Sequence, residues 1–305
     1  MLNLLRSDIY RLARQMQFWV LAAITVTLCV LGAVMLAWVS SPEFTAYVND
    51  VAAEQMGEMS ADERAVVERD LQEAAAESQA LSERELPSIT QTWAQEFLAG
   101  GFLGLMGSIA VVLFLTSDFR GGFVRSLVMD RRGRVRYYAE KLVLVALMQA
   151  VLLLLCAASS TIAFAAYGFT YQVGDSPADV AVWLALAWLI SCAYAFITAC
   201  VVWIARSEWV GTACAVLVSG GIAGGLIAAL FELLSAAVPW LADATYLTLH
   251  GCVQLLSAGA GELMHPAAAT PILGLPPVGD ILLVTFASVA VCAAVVFGVC
   301  RKRDV

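Results

Sequence analysis

FWVLAAITVTLCVLGAVMLAWVS, residues Phe18–Ser40, holds no Asp, Glu, Lys or Arg. A helix rises ~1.5 Å per residue, so a stretch of this length can cross ~30 Å of hydrocarbon. Charge-free stretches of comparable or greater length recur at Phe97–Ser117, Leu142–Gly174, Val180–Ala205, Trp209–Phe231 and Ile281–Cys300. The 305 residues are 61% hydrophobic and only 14% charged, too few charges to cover a watery domain of that size. The pattern predicts an all-α polytopic membrane protein with six transmembrane helices. A barrel would instead show alternating strands of ~9–11 residues. Arg6, Arg11 and Arg14 ahead of the first stretch resemble the basic start of a signal peptide. That stretch exceeds a usual signal core, no small-x-small cleavage site follows it, and it reads as a retained first span.

Charge placement sets the orientation. Three Arg precede the first span, and seven basic residues (Arg120, Arg125, Arg131, Arg132, Arg134, Arg136 and Lys141) lie between spans two and three. Arg206 and the tail Arg301-Lys302-Arg303 add four more. With six spans these segments share one side, and 14 of the 17 basic residues lie there. The positive-inside rule makes that side the cytoplasm and puts both termini in it. Only Arg64, Arg69 and Arg84 fall on the other side.

The net charge of −8 comes mainly from residues 41–96, where 13 acidic residues face three basic ones. An acidic translocated loop is ordinarily a soluble one, so this charge does not by itself mark a binding surface. Ser60-Ala-Asp-Glu63 fits a capping box, with Val67, Leu71, Ala74, Ser78 and Leu81 following at helical spacing. Two short amphipathic helices, at 44–58 and 61–81, are expected to form an acidic extracellular insertion.

Several chemistries are excluded by what the chain lacks. Seven of eight Cys lie in spans and none forms a CxxC pair, so they read as small packing residues. Glu262 and His265 do not make the HExxH order of a zinc protease. No phosphate-binding GxxxxGK[ST] loop occurs, and Gly220-Gly-Ile-Ala-Gly-Gly225 lacks the Lys and hydroxyl it would need. That run instead reads as part of a continuous fifth span, with Gly220, Gly221, Gly224 and Gly225 giving a bare face for close helix packing. Gly100, Gly101, Gly104 and Gly107 do the same in span two. The centres of spans one to four and six carry no ionisable group, which argues against a proton- or sodium-coupled carrier.

The connection between spans two and three is the most informative stretch. Phe123, Leu127 and Val128 can share one apolar face of a short helix while Arg125 and the arginines after it stay wet. Lipid headgroups explain the charges but do not call for the apolar face. In this stretch the chain resembles the ABC-2 type permease subunits of bacterial ABC transporters. Asp118 takes the acidic position of their first cytoplasmic loop and Gly122-Phe123-Val124-Arg125 the core. Arg131-Arg132-Gly133-Arg134 is the basic stretch, and Lys141-Leu142 opens the third span. The chain departs from the pattern at Ser126, where Asn is frequent, and in the acidic insertion.

The resemblance implies a single transmembrane domain, 1–305, of the ABC-2 exporter (type V) kind. It implies an interfacial elbow helix over 1–16, with Leu2, Leu5, Ile9 and Leu12 facing lipid. The coupling segment would be 118–141, with Asp118, Gly122, Phe123, Val124, Arg125, Arg131 and Arg132 as contacts. Arg206-Ser-Glu208 would make a second contact through Arg206 and Glu208, and 233–279 would hold re-entrant or interfacial helices on the outer side. The expected role is a non-catalytic permease in the bacterial cell membrane, surrounded by lipid and paired with a second or paralogous permease. Separate ABC ATPase subunits would bring ATP and Mg2+; the chain itself takes no cofactor, metal or nucleic acid. A non-transporting membrane scaffold or an immunity or sensing subunit would keep the same helices without nucleotide-driven motion, and a secondary transporter ranks below both.

Overall fold

A helix that is apolar on every face has no side to offer to water, and Met16–Val39 (α2) is such a helix. The computed structural model describes residues 2–44, 46–47, 50–51, 84–120, 131–266 and 274–300, with only the backbone of 2–4, 120, 131–134 and 299–300. Helix α1, Leu2–Arg14, precedes α2. Strand β1 (Glu85–Leu86) leads into α3 (Ile89–Trp93), which a π-helical turn extends over Ala94–Leu98. Then come α4 (Phe102–Arg120), α5 (Arg131–Ala166), β2 (Thr170–Tyr171) and α6 (Pro177–Ala205). Helix α7 (Glu208–Cys214) runs through a second π turn, Ala215–Ser219, toward α8 (Ile222–Ser235). Three short helices follow: α9 (Trp240–Ala244), α10 (Leu249–Ser257) and α11 (Ala260–Met264). Helix α12 (Pro277–Val295) closes the described chain with a π turn over Val296–Cys300.

The protein is an all-α polytopic membrane protein. Helices α2, α4, α5, α6 and α12 are each long and apolar enough to cross a membrane, and the bent pair α7–α8 makes a sixth candidate span. Helix α6 is the axis of the bundle, with α4, α5, α7 and α12 all packed on it. Its start is set by Ser176, whose hydroxyl accepts from the Asp179 amide, and by Pro177 in the first turn. It stops where Arg206 takes a left-handed conformation (φ 51°) and its N–H bonds to the Val202 carbonyl.

The helix ends gather at two poles. At one, the ionic pole, Gln15 reaches Ser117 (3.3 Å), and Tyr138 at the start of α5 stacks edge-on against Trp203 near the end of α6 (5.1 Å). At the other, the strand pole, β1 and β2 pair in parallel, Glu85 with Thr170 and Leu86 with Tyr171. There Asp175 accepts from both the amide and the hydroxyl of Thr90 (2.9 and 2.8 Å), and Trp183 donates to the Leu256 carbonyl (3.1 Å). Helices α10 and α11 pack inward, burying Cys252, Val253, Leu256, Ala260 and Leu263.

Two apolar stretches read as continuous spans are broken instead. The stretch starting at Phe97 is interrupted after the first π turn, and α4 begins only past Gly101 (φ 69°). The fifth stretch breaks at Gly220–Gly221, where Gly221 has φ 81° and α8 departs at 43°. Only glycine enters that backbone region cheaply, so the same residues that allow close packing also allow a kink. The expected helices 44–58 and 61–81 lie largely outside the described residues.

Candidate functional site

The ionic pole holds the densest charge cluster among the described residues. Asp8 and Arg11 come from α1, Asp118 from the end of α4, and Tyr137, Glu140 and Lys141 from the beginning of α5. Asp118 is fully buried, as is Lys141, and Asp8 is nearly so. The Lys141 ammonium sits 2.7 Å from Asp118 Oδ2 and bonds Asp8 Oδ2 as well. Arg11 closes the ring, with Nη2 2.7 Å from Asp118 Oδ1 and Nη1 3.1 Å from Asp8 Oδ1. Tyr137 donates to Asp118 Oδ2 (3.2 Å). The Phe114 ring lies under both cations, 4.6 Å from Lys141 Nζ and 5.8 Å from the Arg11 guanidinium. Burial works against the Arg11 charge, but Asp118 and then Asp8 more than offset it and hold its pKa above the ordinary value.

Two carboxylates and two cations, alternating, satisfy one another in this bracket. The cost of removing each charge from water is thereby met by its neighbours, and any one deletion leaves an uncompensated partner. Three elements distant in sequence are fixed together: α1, the end of α4 and the beginning of α5. The arrangement joins three helices through buried charge, and among the described residues at this pole no nucleophile–base pair has the geometry of covalent catalysis.

Of the coupling residues expected from sequence, the structure brings Asp118 into this bracket. Gly122, Phe123, Val124 and Arg125 lie outside the described residues, and Arg131 and Arg132 open α5 with only their backbone described. Arg206 and Glu208 flank the tight α6–α7 turn at the same pole. A ring ladder runs toward that turn, Tyr137 to Tyr138 (5.4 Å) and Tyr138 to Trp203 (5.1 Å). Asp8 escaped sequence reading because one acid among three arginines looks like charge balance. It stands three residues after Leu5 and four before Leu12, and both leucines pack against the core, while Ile9 is 44% exposed. The expected lipid-facing stripe of Leu2, Leu5, Ile9 and Leu12 is therefore corrected: Leu5 and Leu12 turn inward with Asp8.

The four glycines of the fifth span divide into a crowded pair, Gly220 and Gly224, and an open pair, Gly221 and Gly225. Nothing stands within 4 Å of a Cβ built on Gly221 or Gly225, so that pair forms no packed seam within the chain. Close contact occurs instead at Gly101 and Gly104. Cβ atoms there would come 2.7 Å from the Gly220 carbonyl carbon and 2.9 Å from the Ser219 oxygen. A Cβ built on Gly224 would come 2.7 Å from the His250 Cβ. The two helix breaks thus lean on each other, backed by a Ser108–Ser219 hydroxyl bond of 2.7 Å. A cavity of about 20 Å³ between them, lined in part by Ser191, Tyr194, Ser219 and His250, has room for a water and not for a substrate.

Comparison with protein-family models, with curated proteins and with solved structures gives no match. The functional reading therefore stands on the residues of this chain.

Proposed function

We propose that the chain is the membrane-spanning permease subunit of an ATP-driven ABC transporter, working as an exporter in a bacterial cell membrane with both termini in the cytoplasm. Two separate ATPase subunits bind ATP and Mg2+ and close on each other. Two permeases, identical or paralogous, turn that closure into alternating exposure of a path for substrate. The chain contributes no bond-making chemistry.

The observation that carries this reading is the bracket around the basic loop. Asp118 and Lys141, which flank that loop in the resemblance to ABC-2 permeases, are a buried ion pair at 2.7 Å, and both hold α1. A push on residues 121–130 would reach α4, α5 and α1 as one body, and the aromatic ladder would carry it on toward Arg206. Phe123 and Arg125 would make the docking contact itself.

The test is affinity purification of the tagged chain from its native membrane. The reading expects a nucleotide-binding ATPase to co-purify with the wild-type chain. The variants Phe123→Ala and Arg125→Glu should reach the membrane in wild-type amounts but lose that ATPase. A wild-type chain that purifies without any ATPase overturns the proposal.

A further inference from the structure

Near the strand pole one acidic side chain has no counterpart to the bracket. Glu96 rides on the π turn Ala94–Leu98, and such turns recur at functional sites in helices. Its stem is partly exposed, yet both carboxyl oxygens are buried and have no hydrogen-bond partner among the described residues. Oε1 stands 3.0 Å from where a Cβ on Gly32 of α2 would be, so the carboxyl occupies space that a side chain there would contest. From α5, Ser160 is fully buried and faces the carboxyl, its Oγ likewise without a partner. From β2, the Tyr171 hydroxyl is buried and unpartnered as well. Burial pushes the Tyr171 phenol above its ordinary pKa, and an ionised Glu96 would push it further. The other titratable groups near the carboxyl are thiols, Cys29 on α2 with Cys156 on α5 behind it. No basic side chain pairs with Glu96 among the described residues.

A bare carboxylate in these surroundings is strongly disfavoured, whereas a neutral carboxylic acid is both donor and acceptor. Two hydroxyls stand nearby with the matching capacity. The π turn that carries Glu96 is not continuous with α4: it ends at Leu98, and the chain passes through left-handed Gly101 before that helix begins.

We propose that Glu96, with Ser160 and Tyr171, forms a proton-binding site, occupied while the bundle is packed as described and emptied when the π-turn segment shifts and admits water. On release, the carboxyl O–H bond breaks and the proton passes to the entering water. The carboxylate left behind accepts hydrogen bonds from the Ser160 and Tyr171 hydroxyls. This goes beyond the permease reading and does not depend on it.

The test uses the full chain in lipid nanodiscs and dicyclohexylcarbodiimide, a hydrophobic reagent that attacks protonated carboxyls sheltered from water. Mass spectrometry of the peptides locates the adduct. At neutral pH, Glu96 should be modified at least about tenfold more than Glu262, an exposed carboxyl on α11 outside the candidate spans. Modification should fall as pH rises, and Ser160→Ala or Tyr171→Phe should move the midpoint of that profile in protein that still folds. Glu96 modified no more than Glu262 at neutral pH overturns the proposal. So does protection of Glu96 by Na+ at fixed pH, which would make the ligand a metal cation.

Discussion

The four-residue bracket at the ionic pole and the Glu96 group near the strand pole satisfy their buried polar atoms in opposite ways, although Glu140 beside the bracket also keeps one buried oxygen without a partner. At the ionic pole Asp8, Arg11, Asp118 and Lys141 neutralise one another across three helices. Near the strand pole Glu96, Ser160 and Tyr171 hold buried oxygens without partners. Alternating charge makes a joint that resists deformation, because separating any pair strands a charge in a medium that solvates it poorly. Unpartnered oxygens make a place that a proton or a water can enter and leave. The difference teaches that burial alone does not tell a charge that holds helices together from one that can take up a proton; its partners have to be counted as well.

The largest expected effect comes from opening the bracket. Asp118→Ala leaves the buried Lys141 with one acceptor in place of two and Arg11 without its shortest partner. It should cost about 3–5 kcal/mol, read as a lower midpoint of thermal unfolding in detergent and reduced membrane levels. Asp118→Leu combined with Lys141→Met removes one charge of each sign and should be milder than Asp118→Ala alone. A double variant as unstable as the single one would break the claim that the pair is mutually compensated.

Crowding the contact between the helix breaks should come next. Gly104→Val drives a side chain into the Ser219 carbonyl, 2.9 Å from the Cβ position, and overpacking of this kind costs about 1–3 kcal/mol. Gly225→Leu meets open space and should leave the unfolding midpoint where it was. Equal loss in both variants would show that Gly225 is covered by another subunit in the assembly.

The smallest effect on stability is expected at Glu96. Glu96→Gln keeps the shape of the neutral acid and removes the cost of protonating it on folding, so its unfolding midpoint at neutral pH should match or slightly exceed that of the wild type. A loss comparable to that of Asp118→Ala would mean that Glu96 is paired after all, and the contrast between the poles would fall.

Much of the frame was legible in sequence, because crossing a hydrocarbon slab demands length and apolarity that composition displays directly. The six charge-free stretches correspond to α2, α4, α5, α6, the α7–α8 pair and α12. The breaks at Gly101 and Gly221 were not legible. A glycine in an apolar run is compatible with an unbroken helix, and the kink depends on where the Ser219 and Gly220 carbonyls meet α4. The two-residue strands carry no periodicity to detect. Asp118 stood out through its place beside a basic loop, whereas Asp8 and Glu96 are single acids whose meaning arises from residues 133 and 64 positions away, Lys141 and Ser160.

The central claim is that the loop between Asp118 and Lys141 transmits work from a separate ATPase. The direct measurement is permease-dependent ATP hydrolysis by the purified complex, normalised to the amount of inserted chain. The account predicts that Phe123→Ala and Arg125→Glu each lose most of that hydrolysis, while Gly225→Leu retains it. Wild-type rates for both loop variants would contradict it.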